Sequence, residues 1–273
     1  MSLAPEDFDF FRGYLRERSA IALDVGKEYL VETRLLPVAR REGLSTVGAL
    51  IRKLREQPHG PLQLSVVEAL TTNETSFFRD WKPFEALRSA LLPEASVRRS
   101  TERRLDLWSA ACSTGQEAYS VAMLIREHLP QLAAWDVQIH CTDLSQEMVE
   151  RTRAGRFTLL EVNRGLPAAL LVKYFRQEGD EWVIADEFRR RLRVAQLNLA
   201  GPWPVLPQMD VVLLRNVLIY FDIPTRRAIL EKVRRQMRRG GILFLGSAET
   251  TVGIHDGFRR EESAGATFFR AAP

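Results

Sequence analysis

Long apolar runs and cysteines are scarce in this chain of 273 residues. No run of about 18 consecutive apolar residues occurs, so the sequence predicts no membrane-spanning helix. The two cysteines, Cys112 and Cys141, lie in apolar segments without the spacing of zinc ligands, and we expect buried free thiols and no metal site. The first residues are acidic and lack the basic start and apolar core of a signal peptide. These absences favour a protein of the reducing cytoplasm.

Glycine-rich phosphate-binding motifs are also absent. The turn after residue 109 contains only one glycine, Gly115, so the dinucleotide fingerprint is incomplete. The chain also lacks the Gly-Lys-Ser or Gly-Lys-Thr sequence of a P-loop. These gaps argue against NAD binding and ATP hydrolysis, and they favour a nucleoside without a pyrophosphate.

The segment Leu105–Tyr119 combines a short apolar strand, a turn of small residues and the start of a helix. Its small residues leave room for a ligand against the backbone, and the helix from about Glu117 offers free N–H groups to a polar ligand. A second strand, 137–142, ends in Asp143, the position at which a βαβ unit holds a ribose through its hydroxyls. These two features alone fit an ordinary βα turn with a capping aspartate equally well.

The first part of the chain predicts a small helical domain. Residues 1–70 place apolar residues at helical spacing, with breaks at Gly43 and Pro58–Pro61. Residues 71–80 are rich in hydroxyl and amide groups, and residues 93–104 are rich in Pro, Ser and Arg. We therefore expect an exposed connection at 93–104.

From residue 105 onward, strands and helices alternate, which predicts a doubly wound, mostly parallel sheet. Residues 267–270 are expected to form a terminal edge strand. Ligands of such sheets bind at the carboxyl ends of the strands. The predicted strand ends carry 109–115, Asp143, Asn198 and Arg215-Asn216, which favours a binding site over a plain turn.

Arginine dominates the basic residues, and the net charge is +4. Arginine prefers bidentate contact with carboxylate or phosphate, so the clusters are compatible with an acidic partner surface. Each single cluster is equally compatible with a solvated helix face. The clusters are Arg34, Arg40 and Arg41; Arg52, Lys53 and Arg55; Arg98, Arg99, Arg103 and Arg104; and Arg189 to Arg193.

Five motifs taken together resemble the CheR family of chemotaxis receptor methyltransferases, over nearly the whole chain. The resemblance implies an α/β fold: a Rossmann-like S-adenosylmethionine-dependent methyltransferase domain with a small all-α N-terminal domain and a short inserted β-subdomain. The implied parts are 1–70, a linker 71–104 that contributes to the cofactor site, and 105–273 with the β-subdomain at about 176–194. The motifs are Thr72–Arg79, Trp108–Glu117, Thr142–Ser145, Asn198-Leu199 and Arg215–Phe221.

The resemblance also assigns roles in cofactor binding and catalysis. Arg79 would bind the methionine carboxylate and Glu117 the amino group, while Asp143 would take the ribose hydroxyls. Arg79 and Tyr220 are the candidate catalytic residues, with Tyr220 at the substrate slot. The cofactor-binding set is Asn73, Thr75, Arg79, Glu117, Asp143, Asn198 and Leu199 for adenine, and Arg215 and Asn216 near the methyl group.

Purely structural alternatives remain open for four of these residues. Arg79 is compatible with a surface salt bridge, and Glu117 with a first-turn carboxylate favoured by the helix dipole. Asp143 is compatible with a helix cap and Tyr220 with a core tyrosine.

Departures from the family pattern limit some of these assignments. Gln116 and Ala118 stand where an acidic residue and a proline are common, and we expect the change to be tolerated because Glu117 is kept. Ser247–Glu249 replaces a segment that often contains histidine, so it carries no catalytic weight. The β-subdomain is short, and we expect no dependence on a receptor C-terminal pentapeptide.

The implied reaction moves a methyl group from S-adenosylmethionine to glutamate carboxylates of methyl-accepting chemoreceptors and leaves S-adenosylhomocysteine. A glutamate is ionised at neutral pH, with a pKa near ~4.3, so no general base is needed. The expected partner is the cytoplasmic helical domain of the receptor, met by a monomer that binds no nucleic acid and does not insert into a membrane. Two alternatives stay open: a cofactor-binding regulatory domain without turnover, and a methyltransferase for another substrate.

Overall fold

A computed structural model describes residues 3–57 and 59–272. The predicted helical domain is a bundle whose core is made by the apolar stripes of its helices, with Phe11, Leu35 and Leu50 fully buried. The predicted break at Pro58 lies outside the described residues. Thr46 caps the third helix by accepting a hydrogen bond from the Ala49 N–H at 3.2 Å. The helices are α1 (Pro5–Ser19), α2 (Glu28–Arg41), α3 (Val47–Glu56) and α4 (Pro61–Ala69).

The linker contains helices that the sequence did not predict. After an irregular stretch, α5 (Lys82–Ala86) runs through a π-helical turn at Leu87–Leu91 into α6 (Leu92–Arg98). The expectation of an exposed connection at 93–104 is therefore wrong over its first half. Leu92 and Ala95 are fully buried against the sheet, and this packing stabilises the helix. Pro93 lies in the first turn of α6, where proline is tolerated.

The remaining elements alternate between strands and helices, as the sequence predicts. In chain order they are β1 (Arg104–Ala110), α7 (Gln116–His128), β2 (Asp136–Asp143), α8 (Gln146–Ala154), β3 (Arg156–Thr158), α9 (Leu159–Asn163), α10 (Ala168–Tyr174), β4 (Phe175–Glu178), β5 (Glu181–Ile184), α11 (Asp186–Arg189), β6 (Leu192–Gln196), β7 (Met209–Leu214), α12 (Ile223–Gln236), β8 (Met237–Leu245), β9 (Phe258–Ser263) and β10 (Ala266–Ala271).

The main sheet has the order β6-β2-β1-β7-β8-β10-β9. Its first five strands are parallel, and β10 pairs antiparallel with both β8 and β9, so the prediction of a mostly parallel sheet is confirmed. Side chains of β1 alternate between two cores, with Leu107 on one face and Trp108 on the other. The strand predicted at 267–270 is present as β10, but its predicted position at the edge is wrong, because β9 continues the sheet beyond β10. Because the sequence of β9 is strongly charged, it shows no apolar pattern from which a strand could be predicted.

The small sheet has the order β3-β5-β4 and differs from the predicted subdomain at 176–194. Its first strand is β3, far upstream, and Leu192–Gln196 pairs with β2 in the main sheet instead. Phe157 explains the position of β3. Its fully buried ring packs edge-on against Phe77 at 5.0 Å and Tyr119 at 5.9 Å.

Hydrogen bonds join the helical domain to the sheet domain beside the carboxyl ends of the strands. The Ala22 N–H donates to the Tyr220 carbonyl at 3.0 Å, and Nδ2 of Asn198 donates to the Arg18 carbonyl at 2.8 Å. Within residues 3–57 and 59–272, no helix has both the length and the apolar character needed to cross a membrane.

Candidate active site

One pocket lies at the carboxyl ends of β1, β2 and β7, between the sheet, the linker and the end of α1. It encloses about 990 Å³ of space, including its open mouth. Every residue that the resemblance assigned to the site lines this pocket: Asn73, Thr75, Arg79, Glu117, Asp143, Asn198, Leu199, Arg215, Asn216 and Tyr220. The individual roles of these residues stay predictions.

The turn after β1 has an unusual backbone. Ala111, Ser113 and Gly115 have positive φ values of 59°, 52° and 92°. Two of these residues are not glycine, and such conformations are costly and collect at functional sites. Gly115 has a steric reason as well, because a Cβ there would lie 3.0 Å from Cγ2 of Thr152. The turn thus folds tightly and leaves space above the backbone.

Asp143 ends β2 and is almost fully buried. Its Oδ2 accepts from the Ser113 N–H at 2.8 Å and its Oδ1 from the Ser145 N–H at 3.0 Å. Burial raises the pKa of Asp143, and these backbone N–H groups oppose the rise. Each oxygen keeps acceptor capacity beyond its one backbone bond, so the carboxylate can accept two hydroxyl groups of a ligand.

A buried arginine organises the charged end of the pocket. Arg215 is 7 % exposed and forms ion pairs with Glu117 at 3.1 Å and Asp80 at 2.9 Å. Its Nη2 also donates to the Arg79 carbonyl at 2.9 Å. Oε1 of Glu117 accepts from Ser109 at 2.7 Å. Both signs of charge therefore stand together here, which suits a ligand that carries an ammonium and a carboxylate.

Asn198 is held by the protein on both sides of its amide. Its Nδ2 donates to the Arg18 carbonyl, and its Oδ1 accepts from the Ala200 N–H at 2.9 Å. One amide N–H is therefore left for a base, together with the backbone of the neighbouring Leu199. The sequence predicted that Asn198 contacts the cofactor. It gave no sign of the hydrogen bond from Asn198 to the Arg18 carbonyl of the helical domain.

Glu249 fixes the loop after β7, although the sequence gave it no weight. Its carboxylate accepts backbone N–H groups of Gly246 at 2.6 Å, Asn216 at 2.8 Å and Ile219 at 3.2 Å. Asn216 has a positive φ of 59°, and these bonds stabilise that conformation. No sequence pattern marks a carboxylate that binds only backbone groups.

The helical domain supplies part of the pocket wall, which the sequence also did not indicate. Ser19 and Ile21, in the turn that ends α1, line the pocket opposite the strand ends. The two cysteines are buried free thiols, as predicted, and burial raises the pKa of Cys141.

Two family models agree with this organisation into two domains. Residues 6–71 match the family model of the CheR methyltransferase all-alpha domain, and residues 73–266 match that of the CheR methyltransferase SAM binding domain. The chain is 37% identical to chemotaxis protein methyltransferase Cher2 of Pseudomonas putida and 39% identical to chemotaxis protein methyltransferase 1 of Pseudomonas aeruginosa. Each match covers 99% of this chain and 100% of the relative. Among solved structures, the N-methyltransferase NodS of Bradyrhizobium japonicum aligns with a TM-score of 0.39 at 15% identity, over 71% of this chain and 90% of that one.

Proposed function

This chain belongs to the CheR methyltransferase family and is an S-adenosylmethionine-dependent chemotaxis protein methyltransferase, and from that premise we propose that it methylates glutamate side chains of chemoreceptors. The observation that carries the proposal is the convergence of every assigned residue on one pocket. Members of this set come from the linker, from α7, from the ends of β2 and β7 and from the loop after β6, so chance proximity is a poor explanation.

The donors of the pocket fit S-adenosylmethionine along its length. Glu117 and Arg79 offer opposite charges to the amino and carboxylate groups of the methionine. Asp143 offers two acceptors to the ribose diol, and the segment at Asn198 offers an amide to the base. Arg215 adds a buried Nε with no hydrogen-bond partner in the described part of the chain.

The contribution of the protein to the reaction is to position the substrate carboxylate and to exclude water. When bound, S-adenosylmethionine supplies a methyl group on a positively charged sulfonium sulfur. A substrate glutamate is already ionised at neutral pH, so no residue has to remove a proton. Arg79 and Tyr220 are half-buried at the pocket, where they can orient the carboxylate and keep water away from it.

We assign receptor recruitment to the exposed end of α2. Arg40 and Arg41 are exposed, and neither has an ion-pair partner among residues 3–57 and 59–272. The other basic residues of the predicted clusters on α2 and α3 already have partners: Arg34 donates to the Thr71 carbonyl at 2.5 Å, Lys53 pairs with Glu42, and Arg52 and Arg55 pair with Asp7. Arg40 and Arg41 are therefore available to an acidic receptor helix.

We also infer that tethering through a receptor pentapeptide is not required. A peptide could add to the outer edge of β4, but Arg176 and Gln177 are the exposed residues there. Trp182 of β5 packs against the main core, so it does not offer a free aromatic anchor. Failure of a tethering pentapeptide to bind the purified protein is the expected result, and binding at micromolar affinity would contradict it.

Transfer of radiolabelled methyl groups to a purified receptor cytoplasmic fragment tests the main proposal. We expect incorporation that alkali releases as methanol, because a glutamate methyl ester is base-labile. A fragment with its candidate glutamates replaced by alanine is the control and should stay unlabelled. Cofactor binding without label transfer would instead support a regulatory domain, and alkali-stable label would indicate another substrate.

Because one chain supplies the whole residue set, we propose that the protein acts as a monomer, in the cytoplasm.

A further inference from the structure

Lys232 lies on α12, outside the pocket, and reaches the loop that follows the base-binding segment. Its Nζ donates to the Leu199 carbonyl at 2.5 Å and to the Gly201 carbonyl at 2.8 Å. The same ammonium lies 4.8 Å from the ring centroid of Trp203. One cation thus contacts three points of a loop of five residues.

The loop is also closed by its own hydrogen bonds. The Gly201 N–H donates to the Asn198 carbonyl at 3.1 Å, and Nε1 of Trp203 donates to the Leu199 carbonyl at 3.1 Å. The Leu199 carbonyl therefore accepts from both Lys232 and Trp203. These two hydrogen bonds restrain the peptide group that contains the Leu199 carbonyl. Because Leu199 lines the pocket, we infer that its backbone orientation depends on Lys232.

The loop is joined to the ribose end of the pocket through two aromatic rings. Trp203 packs edge-on against Trp108 of β1 at 5.1 Å. Nε1 of Trp108 donates to Oγ1 of Thr142 at 2.9 Å, directly before Asp143. A continuous series of contacts therefore runs from Lys232 through the two tryptophan rings to the residue before Asp143.

The chemistry of this contact favours lysine over arginine. A compact ammonium can donate to two converging carbonyls, whereas a planar guanidinium fits carboxylates better. Lys232 is half-buried and has no carboxylate partner in the part of the chain that the structure describes. Burial lowers the pKa of Lys232. The contacts that oppose this effect are two carbonyl oxygens and an aromatic face. Burying an ammonium without a carboxylate partner is energetically unfavourable, which indicates that Lys232 has a specific structural role.

We propose that Lys232 is a positioning residue for the adenine end of the cofactor site. It holds the Leu199 backbone in the orientation that a base requires, and it touches neither the cofactor nor the substrate. The proposal rests on the assignment of Asn198 and Leu199 to adenine. It predicts an effect on cofactor affinity and on base selectivity.

Titration calorimetry with S-adenosylhomocysteine on the full chain tests this role. Lys232→Met removes the ammonium and keeps the length of the side chain, and we expect its Kd to rise at least tenfold. Lys173→Met is the matched control. Lys173 also holds its ammonium near an aromatic ring, 5.2 Å from that of Tyr174, and pairs with Glu127 at 2.7 Å, but it belongs to the small subdomain. Its Kd should change less than twofold.

Base selectivity separates positioning from a general loss of stability. S-inosylhomocysteine differs from S-adenosylhomocysteine only in the base, and Lys232→Met should reduce the ratio of the two affinities at least threefold. Unchanged affinity, or equal weakening of both ligands, would overturn the proposal. Asn198→Ala tests the adenine assignment separately, because its failure to alter the ratio would reject that assignment whatever Lys232 does. If Lys232→Met is unfolded by circular dichroism, Lys232→Gln takes its place with the same criteria.

Discussion

Asp143 gives the sharpest test of the cofactor site, through Asp143→Asn. The amide keeps the shape of the carboxylate but loses its charge and one acceptor. In the wild type, both oxygens accept a backbone N–H and still face the pocket. A charge-assisted hydrogen bond contributes about 1.5–3 kcal/mol, so losing one from the ribose diol should weaken S-adenosylhomocysteine binding about 10- to 150-fold.

The same substitution affects folding, and the assay must separate the two effects. The new amide NH₂ faces the N–H of Ser113 or of Ser145, which costs about 1–3 kcal/mol of stability. Calorimetry should therefore be done well below the lowered Tm, with circular dichroism as a check of the fold. Asp180→Asn, in the exposed turn between β4 and β5, is the matched control and should bind like the wild type.

The pH dependence supplies an independent check on Asp143. Burial raises its pKa above the ordinary 3.8, and only the ionised form accepts from two hydroxyls. Affinity should therefore fall as the pH falls through this raised pKa, and Asp143→Asn should not show that fall. A folded variant with wild-type affinity, or with an unchanged pH profile, would refute the role of Asp143 in binding the ribose.

Three further predictions concern turnover, recruitment and stability. Arg79→Lys keeps the charge but loses the planar fork, so we expect kcat to fall about tenfold or more, and a wild-type rate would rule out bidentate contact. Reversing Arg40 and Arg41 to Glu should raise the KM for the receptor fragment while leaving the Kd for S-adenosylhomocysteine unchanged, and added salt should reduce the difference. For Asp106, burial acts to raise the pKa, but hydrogen bonds from His140 and Arg104 outweigh it and lower the pKa to about 2. Because this folded-state pKa is below the unfolded value of 3.8, the contribution of about 2 kcal/mol is present above pH 4 and lost as the pH falls towards 2. Urea unfolding of Asp106→Asn should lack that part of the acid sensitivity, and equal acid sensitivity in both proteins would contradict the assignment.

The strand ends could be predicted from the sequence because their signals are local. A buried parallel strand appears as a continuous apolar run, as in Met209–Leu214, and the polar residue after it marks the ligand edge. The same reasoning placed Asp143 and Arg215 at one pocket. The family motifs then extended the set to the linker, where Asn73 and Arg79 show no periodic signal of their own.

Short elements and tertiary packing escaped sequence reasoning. The three residues of β3 are too few for a period of two to be recognised, and its position depends on the distant ring of Phe77. Pro93 in α6 suggested a break, but proline is tolerated in the first turn of a helix, and burial of Leu92 decided the outcome.

Backbone contacts between distant segments explain why the pocket as a whole could not be deduced. Oγ of Ser113 donates to the Asn73 carbonyl at 2.7 Å, and Arg215 donates to the Arg79 carbonyl. In the same way, Asn198 donates to the Arg18 carbonyl in the last turn of α1, and the Tyr220 carbonyl accepts from the Ala22 N–H just after α1. Every residue has a carbonyl, so no residue type records such bonds in the sequence. It follows that the helical domain, which carries no nucleoside motif, still forms part of the candidate pocket, and that the shape of the pocket depends on how the two domains pack together.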